Sequence, residues 1–379
     1  MKNNSSVATW HGAVFVFLIA QQIIAFVFDP FKFVSPYWIM VTFFTIVLFF
    51  QLKVRINEEN KAPFVLFLLC SLGAMTNTIL GSPIGYGLSK CFYSFFAFVG
   101  LLYISKYRIN TNVFIGLLVI LYVFFYYRYF IFDELTRKSI DNDLFVQASA
   151  NAIPMSLNMV FIIYWMISQG QSENHKLMFV LIAAINLFLI IIQGSRAGIL
   201  VAFILAILSI VNFCGFKLYF NHRLLIPLII IIALLFYFQD YLLGFMEENK
   251  MVGTLSDEGN VRYFAQASFF ANLDIKHCLL GYPKDYQFIP DLTRTYNAFL
   301  DLWSRCGLAP FLYLVYCLLI RIKNNKQYAV PFLLLIPFFA YAPFESLWGG
   351  TLWDICLFLC LFYSCNEKVS NCANDDIKQ

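Results

Sequence analysis

Apolar windows long enough to cross a hydrocarbon layer of about 30 Å recur along the whole chain, separated by short polar breaks. They predict helices over residues 11–28, 36–52, 62–80, 84–105, 111–131, 147–168, 175–193, 197–214, 223–243, 297–321, 327–343 and 347–365. Backbone groups in hydrocarbon must be satisfied within each span, which requires helix, and runs this long exclude the alternating strands of an outer-membrane barrel. The first span has no small-residue cleavage site behind a short apolar core, so it reads as a retained anchor rather than a removed signal peptide. The expected fold is all-α, a polytopic membrane protein of about twelve transmembrane helices. The whole chain, 1–379, forms one membrane domain, with one long outward loop, 244–296, between the ninth and tenth helices.

Composition strengthens this picture. Hydrophobic residues make up 61% of the chain, charged residues only 13%, and the mean hydropathy is +0.73, beyond what a water-facing surface carries. The 44 Phe and 22 Tyr supply bulky packing and lipid-facing surface, with tyrosine suited to headgroup depth. The net charge of +4 identifies no partner.

Orientation follows from Lys and Arg in the short connections, because these residues resist translocation. With the N-terminus inside, the inner side holds Lys2, Lys53, Arg55, Lys61, Lys106, Arg108, Lys176, Lys217, Arg223, Arg321, Lys323, Lys326, Lys368 and Lys378. The outer short loops hold Lys32, Arg128, Arg137, Lys138 and Arg196. Both termini are therefore expected in the cytoplasm, and the 244–296 loop outside.

Most of the ten cysteines fall in or beside predicted helices, and only Cys278 lies in the long loop, so no structural disulfide is expected. His11, His175, His222 and His277 are scattered without metal-ligand spacing, so no metal site is expected. No internal repeat or separate soluble domain is visible. The smaller outer loop from Arg128 to Leu144 has near-balanced charge and reads as solvated surface.

Three polar elements interrupt the apolar scaffold. The long loop contains Asp257-Glu258-Gly259-Asn260-Val261-Arg262, followed by Val261, Phe264, Ala265, Ser268, Phe269 and Leu273 at helical spacing. This predicts an amphipathic helix capped by Asn260, lying on the outer membrane surface with its phenylalanines inward. Arg262 in its first turn either meets an anion there or pairs with Asp257 or Glu258. The second element is the turn Gln193-Gly194-Ser195-Arg196-Ala197-Gly198, whose glycines permit a tight reversal and bring N–H groups toward a ligand. Arg196 offers planar donors to phosphate or carboxylate, or else snorkels to the headgroups. The third runs from Arg294 through Tyr296, Asn297, Asp301 and Arg305 to Gly307-Leu308. Asp301 and Arg305, four apart, are set to neutralise each other on one helix face, and Tyr296 and Asn297 equally suit an interfacial anchor.

Together these elements resemble the O-antigen polymerase and O-antigen ligase superfamily of bacterial inner-membrane glycosyltransferases. The motif resemblance covers about Asn186 to Leu314. Gly194-Ser195-Arg196-Ala197-Gly198 resembles the family's turn with an essential arginine, and Gly259-Asn260-Val261-Arg262 its loop arginine opening an amphipathic helix. Gly281-Tyr282-Pro283 resembles the glycine turn that follows. Tyr296-Asn297-Ala298-Phe299-Leu300, with Gly307-Leu308, resembles the family's His-Asn-x-x-Leu segment and downstream glycine. Tyr296 stands where ligases keep a histidine, and a phenol titrating near 10 is a poor base at neutral pH, which favours the polymerase branch.

The resemblance implies transfer of a glycan from undecaprenyl diphosphate to the terminal sugar hydroxyl of another carrier-linked unit, on the periplasmic face of a multi-pass bacterial inner-membrane protein. The departing lipid diphosphate develops negative charge that preorganised arginines can stabilise without metal or other cofactor. The candidate catalytic residues are Arg196 and Arg262. Candidate substrate-binding residues are Arg294, Tyr296, Asn297, Arg305 and His277, the last also a substitute base. Tyr282, Tyr286, Trp303, Asn260 and Gln266 can offer acceptor-sugar surface, and Glu345 can orient an arginine. Implied partners are carrier-linked oligosaccharides, membrane lipids, a chain-length regulator and a flippase, with no nucleic acid. The alternative within the superfamily is a ligase transferring glycan to lipid A-core; rivals from other classes are a structural membrane subunit, which would leave Arg196 and Arg262 without a purpose, and a flippase or transporter, which would show repeated halves and deep ionisable residues.

Overall fold

The computed structural model describes residues 15, 19, 34–53, 56, 58–107, 109–126, 152–170, 175–193, 195–214, 264–290, 293, 295, 297–323, 333–341 and 352–363. Among them the chain is helical, with one 3-10 turn and no strand. The elements are α1 (Val34–Leu52), α2 (Glu58–Thr76) with a 3-10 turn at Asn77–Leu80, α3 (Ile84–Lys106), α4 (Asn112–Tyr126), α5 (Ala152–Gly170), α6 (Lys176–Gln193) and α7 (Arg196–Phe213). After these come α8 (264–271), α9 (Ile275–Leu280), α10 (Ala298–Cys306), α11 (Leu308–Lys323), α12 (Leu335–Tyr341) and α13 (Leu352–Phe362).

Two stretches, Asn60–Leu80 and Ile84–Lys106, are long and apolar enough to cross a membrane, and shorter apolar helices run over Thr42–Leu52, Asn112–Val123, Lys176–Ile192, Ala197–Phe213 and Trp353–Phe362. The expected span 223–243 and nearly all of 11–28 lie outside the described residues, as does the 128–144 loop. One expected span is corrected: 297–321 is two helices, α10 and α11, broken at Gly307. That residue takes φ +80°, and a Cβ there would overlap the carbonyl of Leu279 from α9. The break lets α9 press directly on the helix end.

Burial sets the layering. α5 and α13 pack on each other and are buried along nearly their whole lengths, from Pro154 to Ser168 and from Trp353 to Leu361. Around them α3 contacts α1, α2 and α13, while α6 and α7 pack on α5 and α12 bridges α7 and α13. Trp165 stacks on Phe179 with centroids 5.0 Å apart, tying α5 to α6. Outward faces carry Phe43, Phe50, Leu72, Ile120, Phe188 and Leu319, apolar surface that suits acyl chains rather than water. Asn186 accepts from the Tyr122 hydroxyl at 2.6 Å and donates to the Leu157 carbonyl at 3.3 Å, joining α4, α5 and α6.

Cations in last turns close the ends of neighbouring helices. Lys106 of α3 donates to the Leu52 carbonyl at the end of α1. Arg321 of α11, 4% exposed, donates through Nε to Cys360 O at 3.1 Å and through Nη2 to Tyr363 O at 2.8 Å. The last carbonyls of α13 have no intrahelical donor, and a guanidinium satisfies them where the helix dipole is negative. Replacing Arg321 by Leu should therefore cost about 3 kcal/mol. Thermal unfolding of purified protein in detergent should fall clearly in that variant, with part of the loss recovered by Arg321→Lys.

Candidate functional site

The apolar run of α2 ends in Thr76-Asn77-Thr78-Ile79-Leu80-Gly81-Ser82, where a 3-10 turn closes on Gly81 at φ +103°. Asn77 is wholly buried and its amide nitrogen donates to three backbone carbonyls, Tyr282 O at 2.7 Å, Ser304 O at 3.3 Å and Leu280 O at 3.4 Å. Its amide oxygen accepts from Ser82 Oγ, which in turn accepts from the Lys284 N–H at 2.8 Å. One side chain thus ties the end of α2 to α9's exit and to α10.

Three glycines make that approach possible. A Cβ on Gly73 of α2 would overlap the Cys306 carbonyl, one on Gly281 the Ser304 carbonyl, and one on Gly307 the Leu279 carbonyl. Gly281 and Gly307 end α9 and α10 at φ +84° and +80°, each pressed on the other's helix, and the Tyr282 N–H reaches Ser304 O at 2.6 Å. The Gly281-Tyr282-Pro283 and Gly307-Leu308 segments are therefore the two halves of one backbone clasp.

Local capping fixes the helices so joined. Asn297 caps α10, its Oδ1 accepting from Phe299 N at 3.0 Å and Leu300 N at 3.2 Å. Asp274 caps α9 by accepting from His277 N at 2.6 Å. A small apolar core of Ala265, Phe269, Tyr282, Phe288 and Leu300 sits between α8 and α10. It corrects the expected face of α8: Ala265, Phe269 and Leu273, four apart, pack into the protein, whereas Phe264 is exposed. Tyr282 and Trp303, expected as sugar-facing surface, are structural: the Tyr282 hydroxyl donates to Phe269 O at 2.8 Å and Trp303 Nε1 to Cys278 O at 2.8 Å. Burial, then Tyr286, Asp274 and Cys278 nearby, push Tyr282 up to about 12, keeping it a donor.

Charge gathers beneath this clasp. Arg305 Nε bonds Asp301 Oδ1 at 2.6 Å, the pairing their spacing predicts. Arg305 also meets Tyr86 at the start of α3. Lys90 Nζ, buried one turn further along α3, lies 5.4 Å from the Tyr86 ring centroid and 5.5 Å from that of Tyr93. Lys284, exposed on the loop side, lies 5.8 Å from the same Tyr86 ring. Three cations so surround one tyrosine, stepping from surface to interior, with Asp301 and Asp354 as the carboxylates within Coulombic reach. Basic groups so placed favour an anion beside them.

The structure brings Asn297, Arg305 and His277 onto this one unit. His277 stacks on Tyr282 at 4.6 Å, with Nδ1 2.9 Å from Asp274 Oδ1 but out of hydrogen-bond alignment. Asn297 Oδ1 is committed to its cap, so substrate can meet only the rest of that side chain. Arg196 opens α7, with its side chain outside the described residues, and Asn260, Arg262, Arg294, Tyr296 and Glu345 lie outside them altogether. The Gly194–Gly198 turn is corrected in part. Ser195 caps α7 by accepting from Gly198 N at 3.3 Å, so that N–H is spent, and Gly198 is small because Pro154 of α5 packs against it. Sequence reasoning missed Asn77, Tyr86 and Lys284. The signal for Asn77 was the polar triplet Thr76-Asn77-Thr78 near the end of the expected span 62–80, whereas Tyr86 falls within the expected span 84–105.

Among the described residues no group of three or more His, Cys, Asp or Glu side chains is arranged to hold a metal ion. Compared with family models, curated proteins and solved structures, the chain matches none.

Two outcomes follow from the clasp. Asn77→Leu takes the side-chain donor from the Leu280 and Tyr282 carbonyls and leaves Ser304 O with the Tyr282 N–H alone, and should cost about 2 to 3 kcal/mol, seen as faster protease cleavage within 275–290 while α3 and α5 stay protected. The Asp274 carboxyl is held below its ordinary value, first by the His277 N–H and then by the His277 side chain. A depressed carboxyl contributes stability above its unfolded value of about 3.9 and loses it as pH falls through the folded one. Hydrogen exchange at the His277 amide, corrected for intrinsic rate, should therefore accelerate below about pH 4 and be flat from pH 5 to 7.

Proposed function

We propose that this chain is an O-antigen polymerase: a metal-independent glycosyltransferase that moves a glycan from undecaprenyl diphosphate to the terminal sugar hydroxyl of another lipid-linked repeat unit. In this reading it is a multi-pass protein of the bacterial inner membrane, with both termini cytoplasmic and the 244–296 loop in the periplasm. The observation that carries it is the cation ladder of Lys284, Arg305 and Lys90 round Tyr86, held beneath the loop by the Asn77 clasp.

The chemistry asks for such a set. Breaking the bond between the sugar and the carrier leaves negative charge on a diphosphate, and fixed cations in a partly dry site stabilise it more than water does. The lipid tail needs apolar surface beside the charge, which the exposed faces of α2 and α3 supply at Leu72, Ile79 and Ile84. Arg196 and Arg262 are the further guanidiniums the reading assigns to the diphosphate, with Arg294 beside them.

A transporter of lipid-linked glycan is favoured by one observation, the burial of Lys90, Asp301 and Asp354 within the bundle, since ionisable groups there mark ion or substrate paths. The polymerase reading accounts for the same burial and also for why the ladder opens at the loop end through exposed Lys284.

A deletion strain separates these readings. Surface glycolipids from cells lacking the polymerase should still carry a single repeat unit on the lipid core; loss of a ligase or flippase leaves none attached. Arg196→Ala, Arg262→Ala and Lys90→Met should each remove long chains in complementation while protein levels hold. Unchanged chain-length distributions in all three variants, or a deletion strain with bare core, contradict the proposal.

A further inference from the structure

Asp301 is 1% exposed, and its two oxygens are used unequally. Oδ1 takes the Arg305 Nε–H at 2.6 Å, whereas Oδ2 is buried and meets no donor among the described residues. A carboxylate serving only to neutralise Arg305 would be expected to engage the guanidinium with both oxygens, the geometry that the planar fork favours. Leaving one carboxylate oxygen dry and unpaired is costly, more so than for the neutral atoms of Ser71, Asn158, Trp165 and Trp353 that are also buried without a described partner, because Asp301 carries charge. The Asp301 carboxylate is within Coulombic reach of the cation ladder: Arg305 and Cys306 on its own helix, Tyr86 and Lys90 across on α3. Asn297, four residues earlier, fixes the first turn of α10, and Arg305 fixes the carboxylate end-on, so Oδ2 is aimed by two independent constraints.

Resting on the polymerase reading, we propose that Asp301 Oδ2 is the general base that takes the proton from the acceptor sugar hydroxyl, with Arg305 as its positioning residue. The step balances without any further reactant. The acceptor oxygen forms its bond to the anomeric carbon of the donor glycan as the bond from that carbon to the carrier phosphate oxygen breaks. The electron pair of the broken bond leaves with undecaprenyl diphosphate, beside Lys90, and the hydroxyl proton moves to Oδ2. Asp301 then returns the proton to solvent or to the departing diphosphate. The arrangement also accounts for Tyr296 in place of a histidine: the base sits one turn into α10 instead of at its rim.

The test uses the full chain in liposomes with carrier-linked repeat units extracted from cells that lack it, which accumulate its substrate. Asp301→Asn keeps the side-chain shape and an oxygen for Arg305, and should lower turnover at least about 100-fold while KM for the carrier-linked unit stays within about threefold. Asp301→Ala should be equally slow and regain at least about tenfold with added formate, a small carboxylate that can enter the vacated space. Turnover within about threefold of wild type in the Asn variant overturns the inference, as does loss of carrier binding or of folding in step with turnover, which marks a structural partner of Arg305. Failure of formate to restore the Ala variant also overturns it. A wild-type protein that makes no polymer from these units overturns the polymerase reading itself, and is told apart because the variants then have no activity to lose.

Discussion

The polar unit made by the end of α2 with α9 and α10 is organised by one buried amide. Asn77 has no water to bond, so its donors and acceptor must all be met inside, and they are met by the backbone of the distant loop and by Ser82. The requirement runs both ways: the Leu280 and Tyr282 carbonyls need that donor as much as Asn77 needs them. Because the contact is backbone to backbone at Gly73, Gly281 and Gly307, it tolerates little sliding. α9 and α10 are thereby seated on α2 in one register, and with them Asp301 and Arg305 against α3.

That register is what makes the charges useful. In apolar surroundings an unpaired cation is costly, and Lys90, Arg305 and Lys284 persist together because Tyr86, Asp301 and Asp354 share their field. The set is arranged along one end of α3, while Lys106, 16 residues on and about 24 Å along the helix axis, closes α1 at the other end. The same residue type thus does structural work at one end of the helix and, in the proposed reading, meets a lipid diphosphate at the other.

Much of the scaffold was legible in the sequence because hydrophobic length is written residue by residue: the spans over 36–52, 62–80, 84–105 and 175–193 match α1 to α3 and α6 closely. The Asp301–Arg305 pair was legible for the same reason, being a local i,i+4 relation. What escaped was long-range. The break at Gly307 lies inside an apolar run, and only the arrival of the Leu279 carbonyl, 28 residues away, explains it. Phe264 and Phe269 look alike in a helical pattern, yet only Phe269 faces the small core. Asn77 gave a polar signal near the end of its span, but Tyr282, the acceptor of its shortest donated bond, and Arg305, the guanidinium beside Tyr86, lie more than 200 positions later. Ser195 and Gly198 show the opposite lesson, a motif whose glycine is explained by helix packing before any ligand is invoked.

The most direct test is a map of the full chain in lipid nanodiscs with undecaprenyl diphosphate added. The account predicts diphosphate density between Tyr86, Lys90 and Arg305, within reach of the guanidiniums of Arg196 and Arg262, and the prenyl tail leaving between α2 and α3 toward lipid. A carrier seated elsewhere, or Arg196 and Arg262 turned into separate environments away from that cluster, contradicts it.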